Sequence, residues 1–197
     1  MKRVLKWFLV VVGLSVAVSF WPGSPASLSR FDPERMAELQ VSVWKNSHPP
    51  RRSELFHAFY GIFSQYRMRS PLLAVHSAEA VILFQSAPDA ADQEKALAPL
   101  VKVFSSLQAR TKSAFDPHAV AQMELQIWGL RANGGRQAEL ATALAEQLAL
   151  LYGRPVEPFL PVAKKFALAM QAADKGQWAE ALSRNKAAWI ALKALVK

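Results

Sequence analysis

The residues best suited to chemistry are a Glu-x-x-His pair formed by Glu54 and His57. On a helix this spacing places both side chains on one face, and ferritin-like bundles use two such pairs with two further carboxylates to hold two metal ions. His76 and Glu79 have the same spacing in the reverse order. Because the sequence contains no second Glu-x-x-His, Glu54 and His57 are weak candidates as metal ligands, and we predict neither a metal ion nor another cofactor.

Chemistry that depends on a nucleophile or a phosphate-binding loop has little support in the sequence. The chain has no cysteine, which excludes disulfides, thiol catalysis and cysteine-held metal or haem groups. It has no Gly-x-Ser-x-Gly motif, and Gly134-Gly135 lies between predicted helices rather than after a strand. We therefore predict that the protein is not an enzyme.

Composition and charge limit the class of protein further. The 197 residues carry 24 Lys and Arg against 15 Asp and Glu, and 52% of them are apolar. This mixture is too apolar for a disordered chain and suits one domain, or two small halves that share a core. The basic residues that follow the N-terminal segment are scattered, with Arg51-Arg52 and Lys164-Lys165 as the adjacent pairs. Nucleic-acid-binding proteins cluster such charge beside aromatic platforms, so we predict no nucleic-acid partner. A solvated surface explains the charge best, and attraction to anionic lipid headgroups is the alternative.

The N-terminal segment has the pattern of a membrane anchor. Three basic residues, Lys2, Arg3 and Lys6, precede the uncharged run 7–21, which ends at Pro22. Residues 4–21 are long enough to span a bilayer if the Lys6 side chain reaches back to the headgroups. Because basic flanks stay on the cytoplasmic side, we predict a single-pass protein of the bacterial inner membrane, with its N-terminus in the cytoplasm and the remainder exported.

The same segment also fits a secretory signal. Ala17-Val18-Ser19 offers small residues where a signal peptidase cleaves, and the apolar run is long enough for a signal peptide. In that alternative, residues 1–21 are removed and the rest is periplasmic or secreted. We therefore assign 1–21 to a membrane anchor or signal segment and 22–30 to a linker.

The remainder of the chain is predicted to be helical. Apolar residues recur with a period near 3.6, and no segment alternates between apolar and polar residues over the length of a strand. The predicted fold is all-α: an N-terminal membrane helix followed by a bundle of about eight helices. The predicted helices are 33–46, 53–68, 71–86, 90–111, 117–132, 136–152, 159–174 and 177–195.

The sequence also contains an internal repeat. Phe31-Asp32-Pro33, followed by Ala37 and Trp44, recurs 84 positions later as Phe115-Asp116-Pro117, Ala121 and Trp128. In each copy an Asp can cap the helix, a Pro can open it and a Phe can pack against its second turn. We therefore predict two pseudo-symmetric four-helix halves, 31–112 and 113–197, with one shared core.

The basic apolar start and the Phe31-Asp32-Pro33…Trp44 opening resemble those of a group of bacterial membrane-anchored or exported helical proteins of similar length. The resemblance extends over most of the chain. It implies an anchored or exported helical protein. No activity is assigned to the group, so the resemblance adds no site residue.

Aromatic side chains supply the remaining functional candidates. Phe59, Tyr60 and Phe63 form a broad stripe on the second predicted helix, and Trp178 opens the last one. Such a stripe indicates a core helix or one that contacts a partner. We predict a non-catalytic, membrane-tethered scaffold or accessory subunit that acts through protein contacts, anchored in the membrane by 4–21. The first alternative is a carrier or sensor of an apolar ligand or lipid held in a pocket between the halves, and the second is a metal-dependent enzyme.

Overall fold

The computed structural model describes residues 26–87 and 89–197. The predicted membrane segment, 4–21, lies outside the described residues. The described part of the chain is α-helical and contains no strand, as predicted. None of its helices is both long enough and apolar enough to cross a membrane.

Eight long helices account for most of the described chain. They are α1 (Pro33–Ser47), α2 (Arg52–Gln65), α3 (Pro71–Ser86), α4 (Leu97–Thr111), α5 (Pro117–Ala132), α6 (Gln137–Tyr152), α7 (Leu160–Asp174) and α8 (Trp178–Val196).

The helix predicted over 90–111 is interrupted near its start. Ala90–Gln93 forms one helical turn and Glu94–Ala96 forms a 3-10 turn before α4 begins. Pro99 explains the break. Its ring would clash with the carbonyl group of Lys95 four residues earlier, and it has no N–H to donate to that carbonyl.

The end of α2 also differs from the prediction. The helix stops at Gln65, whereas the sequence pattern placed its end at residue 68. Arg67 lies in the left-handed region with a φ of 61°, and Ser70 is extended because it precedes Pro71. The other long helices begin and end within one residue of the predicted bounds.

The two repeated openings form the local structure that the sequence predicts. The Asp32 carboxylate accepts hydrogen bonds from the N–H groups of Glu34 (2.9 Å) and Arg35 (3.0 Å), and Asp116 accepts one from His118 (2.9 Å). Each carboxylate satisfies backbone donors that a helix start leaves unpaired, and it faces the positive end of the helix dipole.

Removing either cap is expected to destabilise the fold by a similar amount. Asp32→Ala and Asp116→Ala should each lower the free energy of unfolding by about 0.5–2 kcal/mol, because the first N–H groups of α1 or α5 lose their acceptor. For a chain of this length that corresponds to a fall in Tm of about 2–4 °C per kcal/mol. Asp32→Asn and Asp116→Asn are the controls, since Asn caps as well as Asp does. An equal loss in the Asn variants would contradict the capping role.

The helices close into a ring. Each long helix packs against its neighbours in the chain, and α8 packs against α1. Short connections make consecutive helices antiparallel. The starts of the odd-numbered helices therefore lie at the same end of the ring as the ends of the even-numbered helices. At one end the N–H of Asp32 donates to Gln65 Oε1 (3.2 Å), and at the other Arg131 Nε donates to Asp174 Oδ1 (2.8 Å).

Apolar packing holds the ring together. The largest fully buried side chains include Phe159, Met36, Leu55, Met68, Leu73 and Ile127. One fully buried polar side chain lies where α8 meets α1: Asn185 donates from Nδ2 to the carbonyl of Ala37 (3.1 Å). Its Oδ1 has no hydrogen-bond partner among the described residues. The contact that closes the ring is therefore apolar with one polar link.

Candidate functional site

The ring surrounds a partly open cavity of about 210 Å³. All eight long helices or their caps contribute to its wall, so it lies at the centre of the ring. Most of the lining is aliphatic or aromatic: Phe59, Ile62, Phe63, Leu100, Val103, Phe104, Leu107, Trp128, Leu144, Leu148, Phe166 and Leu192. A concave, mainly apolar space with a few polar groups is the usual form of a small-molecule site.

Glu124 supplies the carboxyl group of the cavity. Among the described lining residues it is the sole acidic or basic side chain. On α5, Val120, Glu124 and Trp128 are spaced four residues apart and therefore share one face of the helix. Trp128 Nε1 donates to Glu124 Oε1 (2.7 Å), and Gln147 Nε2 donates to the other carboxyl oxygen. Two N–H donors thus fix the carboxyl group in place.

Burial raises the pKa of the Glu124 carboxyl above its usual value, because the charged form loses its hydration. The hydrogen bonds from Gln147 and Trp128 act in the opposite direction, since they favour the carboxylate. The result is a carboxyl group in an apolar space that gains most from a ligand able to donate a hydrogen bond or a positive charge.

Gln40 occupies the position on α1 that Glu124 occupies on α5. Gln40 follows Phe31 by the same interval that separates Glu124 from Phe115, and it also lines the cavity. Its Oε1 accepts a hydrogen bond from Trp189 Nε1 (2.8 Å). Each opening helix therefore presents one polar side chain to the cavity, and in each case an indole N–H is bonded to it.

Two tyrosines lie in the same wall. The hydroxyl of Tyr152 donates to the carbonyl of Leu28 (3.1 Å). Burial raises the pKa of Tyr66 well above its usual value, with a further contribution from Tyr152, and burial likewise raises the pKa of Tyr152. Both phenols are therefore neutral near pH 7 and act as hydrogen-bonding groups.

Leu28 separates the cavity from the surface. Leu28, Leu151 and Tyr152 line both the cavity and a wide groove of about 1120 Å³ that opens to solvent. Leu28 is 9% exposed and its carbonyl is held by Tyr152. The segment 26–30, through which the chain enters the ring, therefore covers this end of the cavity.

The predicted metal ligands do not converge. Glu54 and His57 are both exposed on α2, and Glu79 is exposed on α3, whereas Glu124 faces the cavity. In the described part of the chain, no group of three or more His, Asp or Glu side chains is placed to hold a metal ion. His76 Nδ1 lies 3.4 Å from Glu79 Oε2, as a local pair on one helix.

The predicted aromatic contact residues occupy three different environments. Phe59 and Phe63 line the central cavity. Tyr60 is half-buried and stacks on Phe56 with 6.1 Å between ring centroids. Trp178 is half-buried beneath the Lys45 ammonium group, which lies 5.3 Å from its ring centroid. The structure thus places two of the four candidates inside the ring and two on its surface.

Comparison with protein-family models, with functionally characterised proteins and with solved structures finds no match to this chain. The resemblance based on the Phe31-Asp32-Pro33…Trp44 opening therefore stays a prediction.

Proposed function

We propose that the protein is a non-catalytic, membrane-tethered carrier or sensor that holds one small apolar molecule in the central cavity. The observation that carries the proposal is the cavity itself: an apolar space inside a closed ring of helices, with a single carboxyl group in its wall. The proposal takes up the apolar-ligand alternative that the sequence offers, and it differs from the scaffold that the sequence favours.

The size of the cavity selects the class of ligand. Pockets for drug-sized molecules occupy roughly 300–1,000 Å³. A cavity of about 150 Å³ lined by Leu, Ile and Phe stays dry and binds benzene. The central cavity, at about 210 Å³, lies between these values and fits one aromatic ring or a short aliphatic chain with a small polar group.

The polar groups select the chemistry of the ligand. Glu124 accepts hydrogen bonds from two N–H groups and has further acceptor capacity, because each carboxyl oxygen has two lone pairs. A ligand with an amine or another strong donor satisfies this capacity and stabilises the charged carboxylate, which burial disfavours. We therefore propose an apolar molecule with one donor group, and an alkylamine attached to one aromatic ring is the simplest probe.

We also propose the membrane anchor and the internal duplication that the sequence indicates. Residues 4–21 form the membrane anchor, with the N-terminus cytoplasmic and the ring exported. The two halves, 31–112 and 113–197, descend from a duplication. The matching caps at Asp32 and Asp116 and the matching cavity residues support the duplication.

The scaffold function stays a prediction that no observation tests. It rested on Phe59, Tyr60, Phe63 and Trp178, of which Phe59 and Phe63 face inward. A metal-dependent enzyme stays the remaining alternative.

Binding of two matched probes tests the proposal. The full-length protein in mild detergent is titrated with benzylamine and with toluene, which share a ring and differ in the donor group. We expect both to raise Tm and to shift the NMR signals of the Trp128 and Trp189 indole N–H groups, which belong to the cavity wall, with benzylamine binding about tenfold more tightly. Absence of any shift at millimolar concentrations of both probes would overturn the proposal.

A further inference from the structure

The two ends of the ring differ in charge. We define the basic end as residues 26–30, the starts of α1, α3, α5 and α7, and the ends of α2, α4, α6 and α8, with the loops that join them. Its exposed basic side chains include Arg67, Arg69, Arg110, Lys112, Arg154 and Lys197. The acidic side chains there are the helix caps Asp32 and Asp116, together with Glu34 and Glu157. The excess of positive charge, scattered in the sequence, is thus gathered by the fold at one end.

Carboxylates neutralise a small part of this charge. Within residues 26–87 and 89–197, the one ion pair that involves a Lys or Arg of the basic end joins Arg35 to Glu38 (3.0 Å) on α1. Arg154 donates to the carbonyl of Leu195 (2.6 Å) and Lys193 donates to that of Ser29 (2.6 Å). Burial lowers the pKa of Lys193 and the charges of Lys197 and Arg30 lower it further, whereas the Asp32 carboxylate acts in the opposite direction.

The opposite end is balanced. It comprises the ends of α1, α3, α5 and α7 and the starts of the helices that follow them. Three of its basic side chains are paired with carboxylates: Lys95 with Asp92, Arg131 with Asp174 and Arg136 with Glu139. Exposed carboxylates at this end, among them Glu54, Asp89 and Glu94, offset its other basic side chains. Electrostatic attraction to an anionic surface is therefore stronger at the basic end of the ring.

Exposed apolar side chains lie at or near the basic end. Leu72 (63% exposed) lies in the first turn of α3, and Val75 (46%) lies one turn further. Leu150 (37%) lies in the last turn of α6, and Ile190 (53%) in the second half of α8. In a monomeric protein, apolar side chains beside unpaired cations are the pattern of a surface that meets lipid headgroups and the upper part of the acyl chains.

The chain enters the ring at the same end. Four residues separate Trp21, the last of the apolar run, from Ala26, the first described residue, which makes five Cα–Cα steps. A fully extended chain of this length reaches at most about 18 Å. If residues 4–21 span a bilayer, as the proposed function holds, the basic end is therefore kept within a few Debye lengths of the headgroups.

We propose that the basic end docks on the anionic surface of the bilayer that holds the anchor, with Leu72 and Val75 at the headgroup level. The helices of the ring then stand perpendicular to the membrane surface, and Leu28, which covers the cavity, faces the lipid. The occupant of this surface is an anionic bilayer, which supplies negative charge over an area as wide as the ring.

Single-site labels on the full-length chain test this orientation. Because the protein has no cysteine, Leu72→Cys and the matched Ser53→Cys at the opposite end each carry one polarity-sensitive fluorophore. In nanodiscs that contain phosphatidylglycerol, a headgroup-attached quencher should reduce the emission from position 72 at least about threefold more than that from position 53. The difference should shrink in pure phosphatidylcholine and in about 1 M salt, where the Debye length falls to about 3 Å.

Charge reversal provides the matched variants. Arg67→Glu with Arg69→Glu should abolish the extra quenching at position 72, whereas Arg51→Glu with Arg52→Glu changes the charge equally and should leave it intact. Resistance to carbonate extraction reports separately on the anchor. Firm anchoring with equal quenching at positions 72 and 53 in anionic nanodiscs would overturn the docking while sparing the proposed function, and would point to an acidic protein as the partner of the basic end.

Discussion

Substitution of Leu for Ser77 is expected to weaken benzylamine binding at least about hundredfold and to make the free protein more stable. Ser77 is 5% exposed and lies in the cavity wall on α3. A Leu side chain there occupies the space that the ligand needs, and overlap costing about 2.8 kcal/mol corresponds to the hundredfold loss. The apolar atoms that enter the cavity are removed from water, which stabilises the folded state by about 0.8 kcal/mol per CH₂ group.

The opposite signs of the two effects make the result specific. A variant that merely damages the fold loses binding and stability together, whereas a filled cavity loses binding and gains an expected 2–4 °C in Tm per kcal/mol. Ser86→Leu makes the same chemical change at an exposed position of the same helix and should alter neither quantity. Calorimetric titration and scanning fluorimetry measure both. Undiminished benzylamine affinity in Ser77→Leu would remove the cavity as the binding site.

The sequence contains enough to predict the helices because their ends are set locally. Asp32-Pro33 and Asp116-Pro117 specify where α1 and α5 begin through hydrogen bonds that span a few residues. The interruption before α4 was also predictable from local sequence, because Pro99 prevents a regular helix through Lys95. The prediction there failed because apolar periodicity was given more weight than the proline.

The ring and its cavity depend on contacts distant in sequence, and periodicity does not report these. Nothing local shows that α8 packs on α1, or that Trp189 bonds to Gln40 across the chain. The cavity residues Tyr66, Ser77, Gln147 and Tyr152 were missed for the same reason.

One signal for the cavity was present in the sequence. Gln40 and Glu124 stand at equivalent positions of the repeat, and each lies four residues before a Trp, on the inward face of its helix. A polar residue in an apolar stripe, repeated in both copies, indicates a polar group that the interior accommodates. The sequence-based candidates came from the aromatic stripe of α2, and two of its residues, Phe59 and Phe63, line the same cavity.

Replacement of Glu124 by Gln is expected to change both the pH dependence of stability and the selection of ligands. Burial raises the pKa of Glu124 in the folded protein above its value in the unfolded chain. Between these two values the folded state holds more protons, so the wild-type protein loses stability as pH rises through the window, and the loss is complete above the folded pKa. Below the unfolded value, near pH 4, both states are protonated and the loss is absent.

Glu124→Gln removes this titration while keeping the shape of the side chain. We expect its Tm to match that of the wild type near pH 4 and to exceed it at pH 8, with the Gln147 amide rotated so that it accepts the new N–H. Thermal unfolding between pH 4 and pH 8 measures the difference. Parallel curves for the two proteins across this range would show that the carboxyl group is solvated.

The ligand prediction separates charge from cavity shape. Glu124→Gln should weaken benzylamine about tenfold or more, because a charge-assisted hydrogen bond of about 1.5–3 kcal/mol is lost, and should leave toluene binding unchanged. Gln40→Glu, the matching substitution on α1, places a second carboxyl group in the same apolar space. Its Tm should therefore fall more steeply with rising pH than that of the wild type, since two buried carboxylates must then be desolvated. If Glu124→Gln weakens benzylamine binding, Gln40→Glu does not, and both bind toluene as the wild type does, then the equivalent inward positions of α1 and α5 determine which ligand charge is selected.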